Sequence, residues 1–479
     1  MLKPTGPAIQ QTAADVTPPT ASSVRWALVG LSVAMLLPSL GVSIANVALP
    51  TLAVSFGATF QQVQWVVLAY LLATTTLVVS AGRLGDLLGR RRLLVSGISL
   101  FAAASVACAV APSLGWLIAG RVAQGAGAAV MMSLTIAFVG HTVPKSRTGW
   151  AMGLLGTMSA VGTALGPSLG GLLIAGLGWP AIFALNLPLA IVAVFLARRY
   201  LPADRPGDAA GRPGFDVAGT VVLASTLAAY ALAMTIGRGA FGYVNIALLG
   251  AALLGTGLFL IVEARASSPL VHPALFRDRA LRAGLANSAM VSTVIMTNLV
   301  VGPFYLARGL HLGTAAVGLV LSIAPIAAAL AGAPAGRLVD RMGAQRVALG
   351  GLAGMAVGCV ALSVLPTGWG VFGYIGSLVI VTTSYSTFQA ANNTAVMAEA
   401  SQEQRGLTSG LLTLSRNLGL ITGASVMGAI FAGASGVVDV ATAVPDAIAT
   451  GMRVTFAVAA LLVLVALVIA IARRNFGKQ

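Results

Sequence analysis

Long apolar runs alternate with short polar breaks along nearly the whole chain. Fourteen runs approach the ~20 residues a helix needs to cross a bilayer. They begin near Trp26, Trp65, Leu93, Gly115, Trp150, Ala181, Val217, Tyr243, Leu281, Thr314, Val347, Val371, Gly406 and Ile448. The runs are near-continuous and contain glycine, which favours helices over the ~10-residue alternating strands of a membrane barrel. The pattern predicts an all-α integral membrane protein with fourteen transmembrane helices.

One polar break recurs. GRLGDLLGRRR at Gly82–Arg92 returns as GRLVDRMGAQR at Gly336–Arg346, 254 residues later. The same offset carries the first apolar run onto the ninth, near Leu281. A repeat of this length predicts two homologous six-helix bundles, residues 25–201 and 281–474. Residues 202–280 form a linker, an inserted helix pair (seven and eight) and a connector. Within that segment PADRPGDAAGRPGFD, Pro202–Asp216, is a polar Pro/Gly linker. EARASSPLVHPALFRDR, Glu263–Arg279, resembles an amphipathic stretch at the inner surface. Residues 1–24 are Pro, Thr and Ala rich with no apolar core of a signal peptide, and are predicted to be a disordered cytoplasmic tail. Residues 475–479 form a second, short cytoplasmic tail.

Composition agrees: 58% of residues are hydrophobic and 8% charged, against ~25% charged in soluble domains. The net charge of +16 does not imply nucleic acid. Arg83, Arg90–Arg92, Lys145, Arg147, Arg198, Arg199, Arg277, Arg279, Arg282, Arg337, Arg341 and Arg346 fall in every second loop, the positive-inside pattern. It places both termini in the cytoplasm and the chain as a multi-pass protein of the cell (inner) membrane. Cys108 and Cys359 lie in apolar helices as packing residues. His141, His272 and His311 are scattered, which argues against a membrane-embedded enzyme, and no G-x-x-x-x-G-K-[ST] loop is present for ATP. No cofactor and no metal are expected.

Further motifs are SIANVALP (Ser43–Pro50), LIAGRVAQGAGAA (Leu117–Ala129), ALGPSLGGLL (Ala164–Leu173) and PAIFALNLP (Pro180–Pro188). With the repeated loop, they resemble the major facilitator superfamily, specifically its fourteen-helix drug:proton antiporter branch. The resemblance implies a monomeric secondary transporter of a small organic solute, working by alternating access and directed outward. It departs at helix one, where the family pattern has an Asp and this chain reads Gly41.

The repeated loop supplies a candidate conformational latch: Gly82, Asp86, Gly89, Arg90 and Asp340, with Arg121 of helix four. The glycines allow a tight turn, and Asp86 can accept hydrogen bonds at a helix end or pair with Arg90. The alternative is a solvated positive-inside loop. Gly166, Gly170 and Gly171, with Pro167, are assigned to helix packing in helix five.

All twelve acids fall in tails, loops or helix ends; Asp439 and Asp446, for example, sit in the last outer loop. A cation antiporter usually needs an intramembrane carboxylate. Inside helices stand instead Arg121 and Arg416, which stay protonated. A positive cavity disfavours cationic solutes and suits neutral or anionic ones. The candidate solute-binding residues are Asn46, Tyr70, Gln124, Tyr385, Gln389, Asn392 and Arg416. Tyr385, Gln389 and Asn392 share one helix face at i, i+4, i+7; some of these amides serve only to bridge helices. The leading function is solute export; the alternative is import of a polar nutrient, for example a vitamin such as riboflavin.

Overall fold

In hydrocarbon every backbone N–H and C=O must be satisfied within the protein, and a helix does this segment by segment. The computed structural model bears out the helical reading. It describes residues 21–142, 148–202, 204, 216–236, 242–266, 278–399, 405–436 and 444–476, and among these there is no strand. The side chains of some helical residues, Arg83 and Asp86 among them, also lie outside the described set.

The helices are α1 (Ala21–Phe56), α2 (Phe60–Leu88), α3 (Arg90–Ala109), α4 (Leu114–Thr142), α5 (Thr148–Leu177), α6 (Ala181–Ala184), α7 (Asn186–Tyr200), α8 (Val217–Thr235) and α9 (Tyr243–Arg265). They continue with α10 (Arg279–Phe304), α11 (Thr314–Met342), α12 (Ala344–Ser363), α13 (Gly370–Glu399), α14 (Arg405–Thr422), α15 (Gly428–Ser435) and α16 (Pro445–Phe476). Two π-helical turns are inserted, Tyr305–Gly309 after α10 and Gly423–Met427 between α14 and α15. Thirteen helical segments are long and apolar enough to cross a membrane among the described residues. The span predicted near Trp65 corresponds to α2, a helix of 29 residues that is not one of the thirteen.

Three boundaries differ from expectation. Helix α1 starts at Ala21, so 21–24 belong to it rather than to the tail; the rest of the tail lies outside the described residues. Helix α2 starts at Phe60 because T-x-x-Q closes a capping box: Gln62 N donates to Thr59 Oγ1 (3.3 Å) and Thr59 N to Gln62 Oε1 (2.8 Å). Helix α9 runs to Arg265, so Glu263 is a buried residue of its last turn and not the start of a connector. The remainder of the predicted amphipathic stretch, 267–277, lies outside the described residues.

Packing falls into two sets. Helices α1–α7 pack on one another, chiefly α1 on α5 and α2 and α3 on α4. In the second set α12 packs on α13 and α16, and α10 on α14. Helix α8 touches α2, the second π-turn and α9. The 254-residue repeat is visible in the backbone. Gly89 ends α2 at φ 96° and Gly343 ends α11 at φ 84°, a conformation side chains other than hydrogen rarely adopt.

Candidate functional site

Arg121 is fully buried in α4. A lone guanidinium in hydrocarbon is costly unless its donors find partners. Its Nε donates to Val66 O (2.8 Å) and its Nη1 to Gln124 Oε1 (2.5 Å). Its Cζ lies 4.2 Å from the centre of the Tyr70 ring, a cation–π geometry. The Tyr70 hydroxyl donates to Pro38 O (3.0 Å), which fixes the ring. Gln124 Nε2 donates to Ser105 Oγ (2.7 Å), and Ser105 donates onward to Phe101 O (2.7 Å). Carbonyl, amide and ring therefore hold this charge, and Nη2 has no hydrogen-bond partner among the described residues. Among the sequence candidates, Tyr70, Gln124 and Arg121 meet here, with hydrogen bonds that knit α1 to α4 together. Ser105, which sequence reasoning missed, anchors the network. The segment expected as a loop, Gly82–Arg92, is instead the last turns of α2 and the start of α3, broken at Gly89. Arg121 sits at the level of Val66, far along α2 from that break.

Asn46 in α1 is buried; its Nδ2 donates to Val42 O (2.9 Å) and its Oδ1 has no partner among the described residues. On α13, Tyr385 and Gln389 are half-buried, and Gln389 Oε1 has no partner among the described residues. Asn392, the third member of that stripe, is buried and donates to Gly284 O of α10 (3.1 Å). Arg416 on α14 is exposed. The structure thus distinguishes amides committed to helix bridging, such as Asn392, from those with an open acceptor, Asn46 and Gln389.

The two packing sets meet at the Phe60 end of the helices. Phe60 of α2 packs on Phe304 of α10 (ring centres 4.7 Å apart, edge to face) and on Phe431 of α15 (5.1 Å). On the same side, Gln64 is wedged against Gly428, where a Cβ would overlap its amide. Across the bundle the Pro167 carbonyl presses on Gly318, and a Cβ on Gly171 would meet Thr314 O at 2.8 Å. Gly166 and Gly170 face α1 instead: a Cβ on Gly166 would overlap Ser43 Oγ, and one on Gly170 would lie 2.7 Å from Val47.

At the opposite, Gly89 end, the repeated turns differ. The Asp204 carboxylate accepts from the backbone N–H of Arg91 (2.9 Å) and Arg92 (3.0 Å), filling the open N-terminus of α3. The Arg91 guanidinium donates to Arg198 O at the end of α7. Gly82 has little spare room beside Ser133. The side chain of Asp86 lies outside the described residues, Arg90 is half-buried, and Asp340 is exposed. Neither N-cap glycine, Gly89 or Gly343, caps its own helix with a side chain; at the Gly89 turn Asp204 does so from a distance. Asp204 stands 112 residues from Arg92, so no local pattern could have revealed the contact. Asp204→Ala should open this end: removing an N-terminal cap costs about 1 kcal/mol. The checkable result is several-fold faster trypsin cleavage at Arg90–Arg92, with a lowered melting temperature. Unchanged cleavage would show that the cap does not hold the turn.

A family model described as Major Facilitator Superfamily matches residues 31–268 and 283–476. The riboflavin transporter RibZ of Clostridioides difficile (strain 630) is 29% identical over 409 residues, covering 85% of this chain and 88% of that one. The multidrug resistance protein Stp of Mycobacterium tuberculosis (strain CDC 1551 / Oshkosh) is 31% identical over 400 residues, 81% of this chain and 72% of that one. Among solved structures, a bacterial homologue of the human lysosomal transporter Spinster, inward-facing and unoccupied, superposes with TM-score 0.68 at 15% identity. It covers 96% of this chain and 98% of its own.

Proposed function

The chain belongs to the major facilitator superfamily, and from that premise we propose that it exports a small organic solute, neutral or anionic, by alternating access. That it is a multi-pass membrane transporter and not an enzyme follows from the family itself. The proposal assigns residues 25–201 and 281–474 as the two moving bundles, with 202–280 inserted between them, acting as a single chain. The positive-inside pattern assigns the Gly89 end to the cytoplasm. The Phe60 end is then outer, and its aromatic contact closes the outer face.

One observation carries the solute class: Arg121 lies fully buried with dipoles as its partners, and no described helix has an acid in its middle turns. A positive charge without an acidic neighbour raises the potential along the path, which repels cations and favours anionic or electron-rich solutes. Asn46 Oδ1 and Gln389 Oε1 are the acceptors we assign to the solute, with Arg416 as an accessible cation. Outward direction is supported by relatives named for drug resistance, such as Stp.

Melting-temperature shifts of the detergent-purified protein test the class, because a ligand that binds only the folded state raises it. Planar neutral compounds, flavins included, or organic anions are expected to raise it, and lipophilic cations are not. A shift with cations alone would sink the argument from Arg121. Uptake of a riboflavin-type nutrient is the second reading, favoured by the likeness to RibZ across 85% of this chain. Growth rescue of a riboflavin-uptake mutant would establish it in place of export.

A further inference from the structure

The inserted helix α8 joins the two packing sets on one side of the molecule, and among the described residues its hydrogen bonds are not shared equally. Two go to α2. Thr235 Oγ1 accepts from the Trp65 indole N–H (3.1 Å), and Thr220 and Ser80 pair through their hydroxyls (2.9 Å). Thr220 already donates to Asp216 O (2.7 Å), so Ser80 is the donor. Trp65 and Ser80 are fifteen residues apart on α2, and Thr220 and Thr235 fifteen apart on α8, running in opposite directions. Two matched pairs ~22 Å apart fasten one helix along the other.

The second set receives one such bond. The Tyr230 hydroxyl donates to Thr422 Oγ1 of α14 (3.0 Å). Thr422 gives its own hydrogen to Leu418 O (2.9 Å), so Tyr230 must be the donor. Thr422 is also the last residue before the π-turn Gly423–Met427, against which α8 packs. The next turns of that helix carry Gly428, pressed by Gln64, and Phe431 of the aromatic closure. Gln64 and Trp65, neighbours on α2, thus face α15 and α8 respectively.

We propose that α8 is a strap that moves with the first bundle, and that Tyr230–Thr422 is its latch to the second, made while the outer face is closed and broken when it opens. The proposal rests on the alternating-access reading above. It gives the inserted pair a role that neither bundle supplies: biasing the resting state toward outer closure from the lipid side.

The test is the distance between spin labels at Val110→Cys and Val364→Cys. Both residues are 68% exposed, cap α3 and α12, and stand at the repeat offset of 254 in opposite bundles. The native thiols Cys108 and Cys359 are buried and leave the introduced sites to be labelled. Tyr230→Phe is expected to raise the ratio of long to short distances about threefold, the size of an average inter-helix hydrogen bond in a membrane. Thr422→Val should do the same, and the two together no more than either. Ser80→Ala, on the strap's fixed side, should leave the ratio where it was. An unchanged ratio in Tyr230→Phe and Thr422→Val overturns the latch, as does an equal rise in Ser80→Ala. Gly428→Leu separates the two readings. If it lengthens the distance and Tyr230→Phe does not, the latch alone fails. If no variant lengthens it, alternating access fails with it.

Discussion

Gly166→Leu is expected to remove most of the folded protein. At this position α5 lies so close to α1 that a Cβ would overlap Ser43 Oγ and stand 2.8 Å from Ile44 N. Ser43 cannot yield cheaply, since it is buried and its hydroxyl already bonds Gly162 O across the same contact (3.2 Å). One turn away, Ser39 and Ser159 pair at 2.6 Å, and a Cβ added to Gly162 would meet Leu36 O as closely. A leucine must therefore push two backbones apart and strip these bonds, at a cost of roughly 3 kcal/mol or more. The measurement is the monodisperse fraction on size-exclusion chromatography, with the melting temperature of whatever survives. Gly166→Ala should fall part of the way, and Ser43→Gly should restore much of that loss by vacating the contested space. A Gly166→Leu protein with the parent's yield and melting temperature would refute the close contact.

The sequence assigns that glycine to packing because small residues at one-turn spacing in an apolar run leave few alternatives, and the structure sets it against Ser43 of α1. The apolar runs fixed the helices for the same reason, since a lipid environment admits little else. The repeat was equally legible, and Gly89 and Gly343 show it again in their backbone angles. Side-chain partners were not legible. Tyr70, Gln124 and Asn392 looked alike in sequence to Asn46 and Gln389, polar groups in apolar helices. Only the fold shows that the first three are used by Pro38, Ser105 and Gly284. Asp204 reads as linker, and its role at the start of α3 depends on how α7 ends beside that turn. Phe60, Phe304 and Phe431 stand out in no sequence pattern, because nothing along a chain marks residues that meet only when two bundles lean together.

The same limit applies to Gly428, where the largest functional effect is expected. Gly428→Leu should leave the protein folded and stop transport. Packing within each set runs through other contacts, α1 on α5 and α10 on α14, and Gly428 takes no part in either. What it touches is Gln64 of the opposite bundle, which is 1% exposed and has neither amide atom hydrogen-bonded among the described residues. A leucine there displaces the amide, forces α2 from α15 and parts Phe60 from Phe431. If the clash costs the closed state ~3 kcal/mol, its weight against the open state falls about a hundredfold. A carrier that cannot close its outer face cannot return, so flux stops while solute still binds from outside. The checks are counterflow of the compound picked out by the melting-temperature panel and the Val110–Val364 label distance. Gln64→Ala alone should be mild, since it deletes a buried amide with no partner to lose. Combined with Gly428→Leu it should recover a large part of the flux, because the leucine then occupies the space the amide held. Full flux in Gly428→Leu, or no recovery in the double variant, would mean that the Gln64–Gly428 contact is not part of the outer closure.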